Sequence, residues 1–207
     1  MRMKCMQIAF VLIAMAGLCA AAQAQTDIAA SFYRTFTGSS TGYGTNQSPS
    51  EDFGGMFELR HISKPLIGYE ITYAVNPSDQ AYSTNKATCN LNCSNPPTTS
   101  TSFEHQVSID WVPSLKVGNL RPFAVGGIGF SMFVPRNNTV NFNTTVDVVR
   151  ATFVAGGGLD WGFLPRAGLR LQLRDDIYKA PNLSIPFNAT GAYTHSVKPM
   201  IGIYFRL

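Results

Sequence analysis

The stretch Thr194-His195-Ser196-Val197-Lys198-Pro199-Met200-Ile201-Gly202-Ile203-Tyr204-Phe205-Arg206-Leu207 decides the fold. Taken backwards in steps of two, it reads Leu207, Phe205, Ile203, Ile201, Pro199 and Val197. Between them stand Arg206, Tyr204, Gly202, Met200, Lys198 and Ser196. Side chains alternate across a β-strand, so one face here is continuously apolar and the other carries two cations. A strand of a membrane β-barrel, apolar towards lipid and polar towards the lumen, requires this pattern.

The same period of two recurs upstream. Ile67, Tyr69, Ile71, Tyr73 and Val75 alternate with Gly68, Glu70, Thr72 and Ala74. His105, Val107, Ile109 and Trp111 alternate with Glu104, Gln106, Ser108 and Asp110, and Leu169, Leu171 and Leu173 with Arg170, Gln172 and Arg174. A long alternating run from Val149 to Phe163 sets Arg150, Thr152 and Asp160 on its polar face. With less regular segments near 28–37, 52–62 and 121–134, the pattern predicts eight strands. Their spans are 28–37, 52–62, 66–76, 102–112, 121–134, 147–163, 167–178 and 194–207. Short connections fall at Ser63-Lys64-Pro65, Pro113 to Asn119 and Leu164-Pro165-Arg166; long ones fall at 38–51, 77–101, 135–146 and 179–193. Short turns at one end and four long loops at the other predict an all-β fold. It is an eight-stranded antiparallel up-and-down transmembrane barrel, with short periplasmic turns and long extracellular loops.

With lipid outside, the polar face must fill the lumen, and eight strands leave room only for side chains. The inward set contains Glu58, Glu70, Glu104, Asp110 and Asp160 against Arg60, Arg150, Arg170, Arg174, Lys198 and Arg206. Near-equal numbers allow pairing, which buried charges need, so this set reads as an ionic plug. Tyr69, Tyr73, Trp111, Phe123, Trp161, Phe163 and Phe205 read as outward aromatics of the interfacial girdles. Gly126, Gly127 and Gly129, and then Gly156-Gly157-Gly158, read as curvature and room for large inward side chains. They lack the following helix and the Lys-Ser/Thr of a phosphate loop.

At the other end of the chain, Arg2 and Lys4 precede an apolar run from Ile8 to Leu18 and then Ala22-Gln23-Ala24. This is the pattern of a cleavable export signal over residues 1–24, leaving a barrel domain over 25–207. The run is shorter than the roughly 20 apolar residues of a membrane helix. Leu18 before Cys19 does not suit a lipobox. Removing Arg2 and Lys4 lowers the basic count from 16 to 14 against 12 acidic residues, and the net charge from +4 to +2. No basic run remains for nucleic acid. Cys89 and Cys93 are the two cysteines left, and in an oxidising compartment this close pair reads as a disulfide.

Catalysis has weak support. A hydrolytic site needs a His, a Ser and a carboxylate together on one face. His195 and Ser196 are adjacent and point opposite ways, while His61 and Ser63 share a face but abut the turn at Lys64 with no acid beside them. The reading is therefore a non-enzyme without cofactor. A narrow channel, a lipid A-modifying enzyme and a soluble lipocalin-like barrel are the alternatives.

Arg121-Pro122-Phe123-Ala124-Val125-Gly126-Gly127-Ile128-Gly129, Gly168-Leu169-Arg170-Leu171-Gln172-Leu173-Arg174-Asp175-Asp176-Ile177-Tyr178 and the closing Gly202-Ile203-Tyr204-Phe205-Arg206-Leu207 carry a family likeness. The chain resembles the small outer-membrane barrels related to the opacity proteins and the outer-membrane-protein-A transmembrane domain. The resemblance implies a monomer in the bacterial outer membrane, in contact with its lipid. It also implies delivery by the outer-membrane assembly machinery through the terminal Ile201, Ile203, Phe205 and Leu207, and a structural role or contact with an extracellular ligand or host surface through the loops. Leu207 departs from the usual terminal aromatic, and Pro199 removes one donor from the last strand's ladder.

Overall fold

The computed structural model describes residues 24–84, 98–138, 147–183 and 190–207. Residues 1–23 of the expected export signal, and both Cys89 and Cys93, lie outside the described residues.

Strands make up the fold, with no helix among the described residues. In chain order they are β1 (Gln25–Arg34), β2 (Phe36–Thr37), β3 (Ser40–Gly42), β4 (Thr45–Pro49), β5 (Phe53–Lys64), β6 (Ile67–Pro77), β7 (Gln80–Thr84), β8 (Thr98–Trp111), β9 (Leu120–Asn138), β10 (Val148–Gly162), β11 (Ala167–Lys179) and β12 (Tyr193–Arg206). Eight of them, β1, β5, β6, β8, β9, β10, β11 and β12, form the wall, each antiparallel to its neighbour. The sheet closes because β1 pairs with β5 on one side and with β12 on the other. Closure leaves the wall without free edges. The predicted eight-stranded barrel is therefore present, with wall strands that match the expected spans to within a few residues at most ends.

Two of the long connections are more ordered than the sequence reading had them. Within 38–51, β3 and β4 form a hairpin whose two-residue turn places Tyr43 at φ 46° and Gly44 at φ 75°. Both central residues of a type I′ turn need positive φ, which glycine adopts at no steric cost. Within 77–101, β7 pairs with β4 and with the start of β8, extending the sheet beyond the wall at the long-loop end.

The two faces of the wall differ as the alternation demands. Ile109, Ile128 and Phe130 are more than 60% exposed on the outside, within a belt that also holds Phe57, Leu171, Leu173, Ile201 and Ile203. Polar side chains fill the inside. A lipocalin-type barrel, apolar within, is the reverse of this arrangement.

Phe123 corrects the expected aromatic girdle. It points inward and is 7% exposed, sharing its face of β9 with Arg121, Val125 and Ser131. The ring lies under the Arg60 guanidinium, 4.0 Å from centroid to Cζ, and beside Gly158, where a Cβ would sit 2.6 Å from the ring. The glycines thus make room across the β9–β10 ladder. On the β8 side, a Cβ on Gly127 would lie 2.1 Å from the Asp110 carboxylate.

Candidate functional site

Two layers of ionic contacts occupy the lumen. Nearer the short turns, Arg170 on β11 donates through Nε to Asp160 at 2.8 Å and through Nη2 to Asp27 at 2.9 Å, while Nη1 donates to Glu58. Arg60 on β5 donates to Glu70 at 2.6 Å and to Asp160 at 3.3 Å. Ser31 supplies a further donor to Glu58 at 2.6 Å. Five strands, β1, β5, β6, β10 and β11, therefore contribute to one charge cluster.

Towards the long loops, Arg174 donates to Asp110 and to Asp176, each at 2.9 Å, and to the Ser108 hydroxyl at 2.7 Å. Lys198 on β12 lies 2.8 Å from Asp176 and 3.9 Å from Glu104, and donates to Gln106 at 2.8 Å. All of these charged side chains are buried. Charges removed from water are costly unless paired and hydrogen-bonded, and the cluster meets that demand largely with bidentate or multiply donating arginines.

The structure brings together Glu58, Arg60, Glu70, Glu104, Asp110, Asp160, Arg170, Arg174 and Lys198 from the residues singled out by sequence. Arg150 and Arg206 stay apart: both are half-buried, at the long-loop and short-turn ends, and neither makes an ion pair among the described residues. Asp27 and Asp176 belong to the cluster and escaped the sequence reading. The signal for Asp176 was present, since it has the parity of Arg170 and Arg174. Asp27 was lost because β1 begins at Gln25, ahead of the expected start.

The two ends of the lumen differ. At the long-loop end Tyr82, Phe133, Tyr178 and Leu183 pack together, and the Tyr82 hydroxyl donates to the Pro181 carbonyl at 2.8 Å. Gln47 of the β3–β4 hairpin donates to Gln80 at 2.8 Å and to the same Pro181 carbonyl at 3.0 Å, tying the extension over the opening. At the short-turn end a cavity of about 160 Å³ lies below Asp160, with Arg121, Arg206 and Lys116 in its wall.

The histidines lie outside the lumen cluster. His61 Nδ1 is 2.8 Å from the Thr26 hydroxyl and its ring packs on Tyr69 at 5.3 Å, with no carboxylate among its described contacts. His105 pairs with the Tyr73 hydroxyl at 2.9 Å, and His195 with Asp175 at 2.8 Å on the exterior. Ile201, Ile203 and Phe205 on β12, and Leu207 just after it, are all exposed on the outside.

A closed eight-stranded wall with an apolar exterior and a charge-filled interior defines the fold of the small outer-membrane barrels. Solved structures agree. The chain is similar to OprG from Pseudomonas aeruginosa, with a TM-score of 0.60, 12% identity, and coverage of 89% of this chain and 97% of that one. It is also similar to Ail, the attachment invasion locus protein of Yersinia pestis, solved in complex with the heparin analogue sucrose octasulfate, with a TM-score of 0.54, 11% identity and coverage of 89% and 99%. Neisserial surface protein A gives a TM-score of 0.52 at 10% identity, with coverage of 89% and 99%. No protein-family model and no curated protein sequence matches the chain.

Proposed function

We propose that this chain is a non-enzymatic barrel of the bacterial outer membrane, closed through its lumen, which acts by presenting its long-loop end outside the cell. The observation that carries the reading is the lumen itself. Arg60, Arg170, Arg174 and Lys198 fill it with buried ion pairs, an aromatic cluster lies over one end, and a conducting path has little room left.

In this orientation the export signal is cut after Ala24, and the chain is delivered as a monomer. The outward Ile201, Ile203, Phe205 and Leu207 are offered to the assembly machinery and then to lipid. The extracellular surface then comprises the β3–β4 hairpin, with Tyr43 at its tip, and the remaining long connections. The sulfated ligand in the Ail complex makes polyanionic sugars a reasonable first class to test on that surface, as one form of host or ligand contact.

Membrane fractionation with thiol labelling tests the reading. A cysteine introduced at Tyr43 should react on intact cells, one at Lys116 only after the outer membrane is opened, and the purified protein should give no discrete conductance in planar bilayers. Recovery of the protein in a detergent-free soluble fraction, or labelling of Lys116 alone, would overturn it.

A further inference from the structure

We infer that the short-turn mouth of the barrel binds an oxyanion of the phosphate class. Arg121 on β9 stands opposite Asp160 in the ladder, and Arg206 on β12 stands opposite Asp27. Neither arginine obtains its neighbour's carboxylate. Both acids turn up the lumen to Arg170, at 2.8 and 2.9 Å. Arg121 Nη1 and Arg206 Nε are left buried without a hydrogen-bond partner, and neither side chain makes an ion pair among the described residues. The acids above them offset their charge at a distance, but that does not satisfy their directional N–H groups, and an unmet buried donor is costly.

These two guanidiniums line the cavity of about 160 Å³ together with Lys116, Asn119, Gln25 and Tyr204; Asp160 also reaches its wall, with both carboxylate oxygens held by Arg170 and Arg60. Three cations, two amides and a phenol supply more donors than a single carboxylate has lone pairs to accept. A tetrahedral oxyanion accepts from several directions, and guanidinium forks match its edges. The surroundings favour the same sign of ligand. The three short turns, over 62–67, 112–120 and 162–168, carry Lys64, Lys116 and Arg166 and no Asp or Glu. Such a rim concentrates anions at the opening. The phosphate has two sources, free in solution or in the headgroup of a lipid in the adjoining leaflet; the second rests on the membrane orientation proposed above.

Calorimetric titration of inorganic phosphate into the protein, purified from outer membranes in uncharged detergent at low ionic strength, tests the site. Saturable binding is expected, weakened about tenfold or more by Arg121→Gln with Arg206→Gln, and weakened far less by Lys64→Gln, which removes only a rim charge outside the cavity. If the double variant fails to show heat-modifiable gel migration, Lys116→Gln in its exposed turn carries the comparison. Competition by a water-soluble short-chain phosphatidylglycerol assigns the headgroup as the source, and lack of competition assigns free phosphate. Absence of saturable phosphate binding, or equal weakening by Lys64→Gln, would overturn the site. Failure of the membrane reading is separate, because it is scored by fractionation and leaves the phosphate titration intact.

Discussion

Arg170 on β11 and Asp27 on β1 meet at 2.9 Å although 143 residues separate them in sequence. The contact reaches across β12, the strand that closes the ring. It therefore exists only in the closed barrel, and it links closure directly to satisfaction of the lumen charges. Arg170 also holds Asp160 and Glu58, so one guanidinium neutralises carboxylates from three wall strands.

Arg170→Ala would strand those acids in the lumen. Removing one partner of a buried ionic cluster costs about 3–5 kcal/mol. We expect a loss of that order in urea unfolding from lipid vesicles, and a lower temperature for loss of heat-modifiable migration. Arg170→Lys should cost less, because the charge survives and only the forked geometry is lost.

Gly127 faces Asp110 at a spacing that leaves no room for a Cβ. Gly127→Ala should destabilise by about 1–3 kcal/mol through overpacking. Gly126, with nothing within 4 Å of a built Cβ, should accept alanine without a comparable loss. Side-by-side unfolding of the two variants checks the difference.

Ile128 is 65% exposed on the outer belt. Ile128→Arg should cost about 2–4 kcal/mol when the barrel folds into a bilayer, the range for a cation near the midplane. An equal substitution at Tyr43, 86% exposed at the hairpin tip, should leave folding unaffected. Equal effects at the two positions would contradict a lipid-facing belt.

Tyr82 lies in the sheet extension, outside the belt, where burial pushes its phenol up to about 12. An unfolded tyrosine ionises near pH 10, so between these values the folded cap keeps a proton that the unfolded chain has lost. The stability it contributes is complete below pH 10 and falls as the pH rises towards 12. Spectrophotometric titration should show one phenol near 12 that Tyr82→Phe removes. That variant also loses the donor to Pro181 and the acceptor for the Leu183 amide, so faster proteolysis at the long-loop end is expected.

The sequence alone determined the parity of the wall. Period-two alternation is a local property of extended backbone, so the outward run Ile201, Ile203, Phe205 and the inward Lys198, Arg170 and Arg174 could be assigned before any contact was known. Turn residues such as Lys64-Pro65 and Leu164-Pro165 marked the short end for the same local reason. The tertiary structure decided which charge meets which. That pairing depends on ring closure and on the stagger of strands far apart in the chain, and it is how Asp27 joined Arg170 while Arg206, opposite it in the ladder, was left at the mouth. Phe123 turned inward because packing under Arg60 and beside Gly158 outweighed its apolar character, and β3, β4 and β7 became strands because they could pair with one another above the wall. Alternation is written residue by residue, whereas partners are chosen by the geometry of the whole ring.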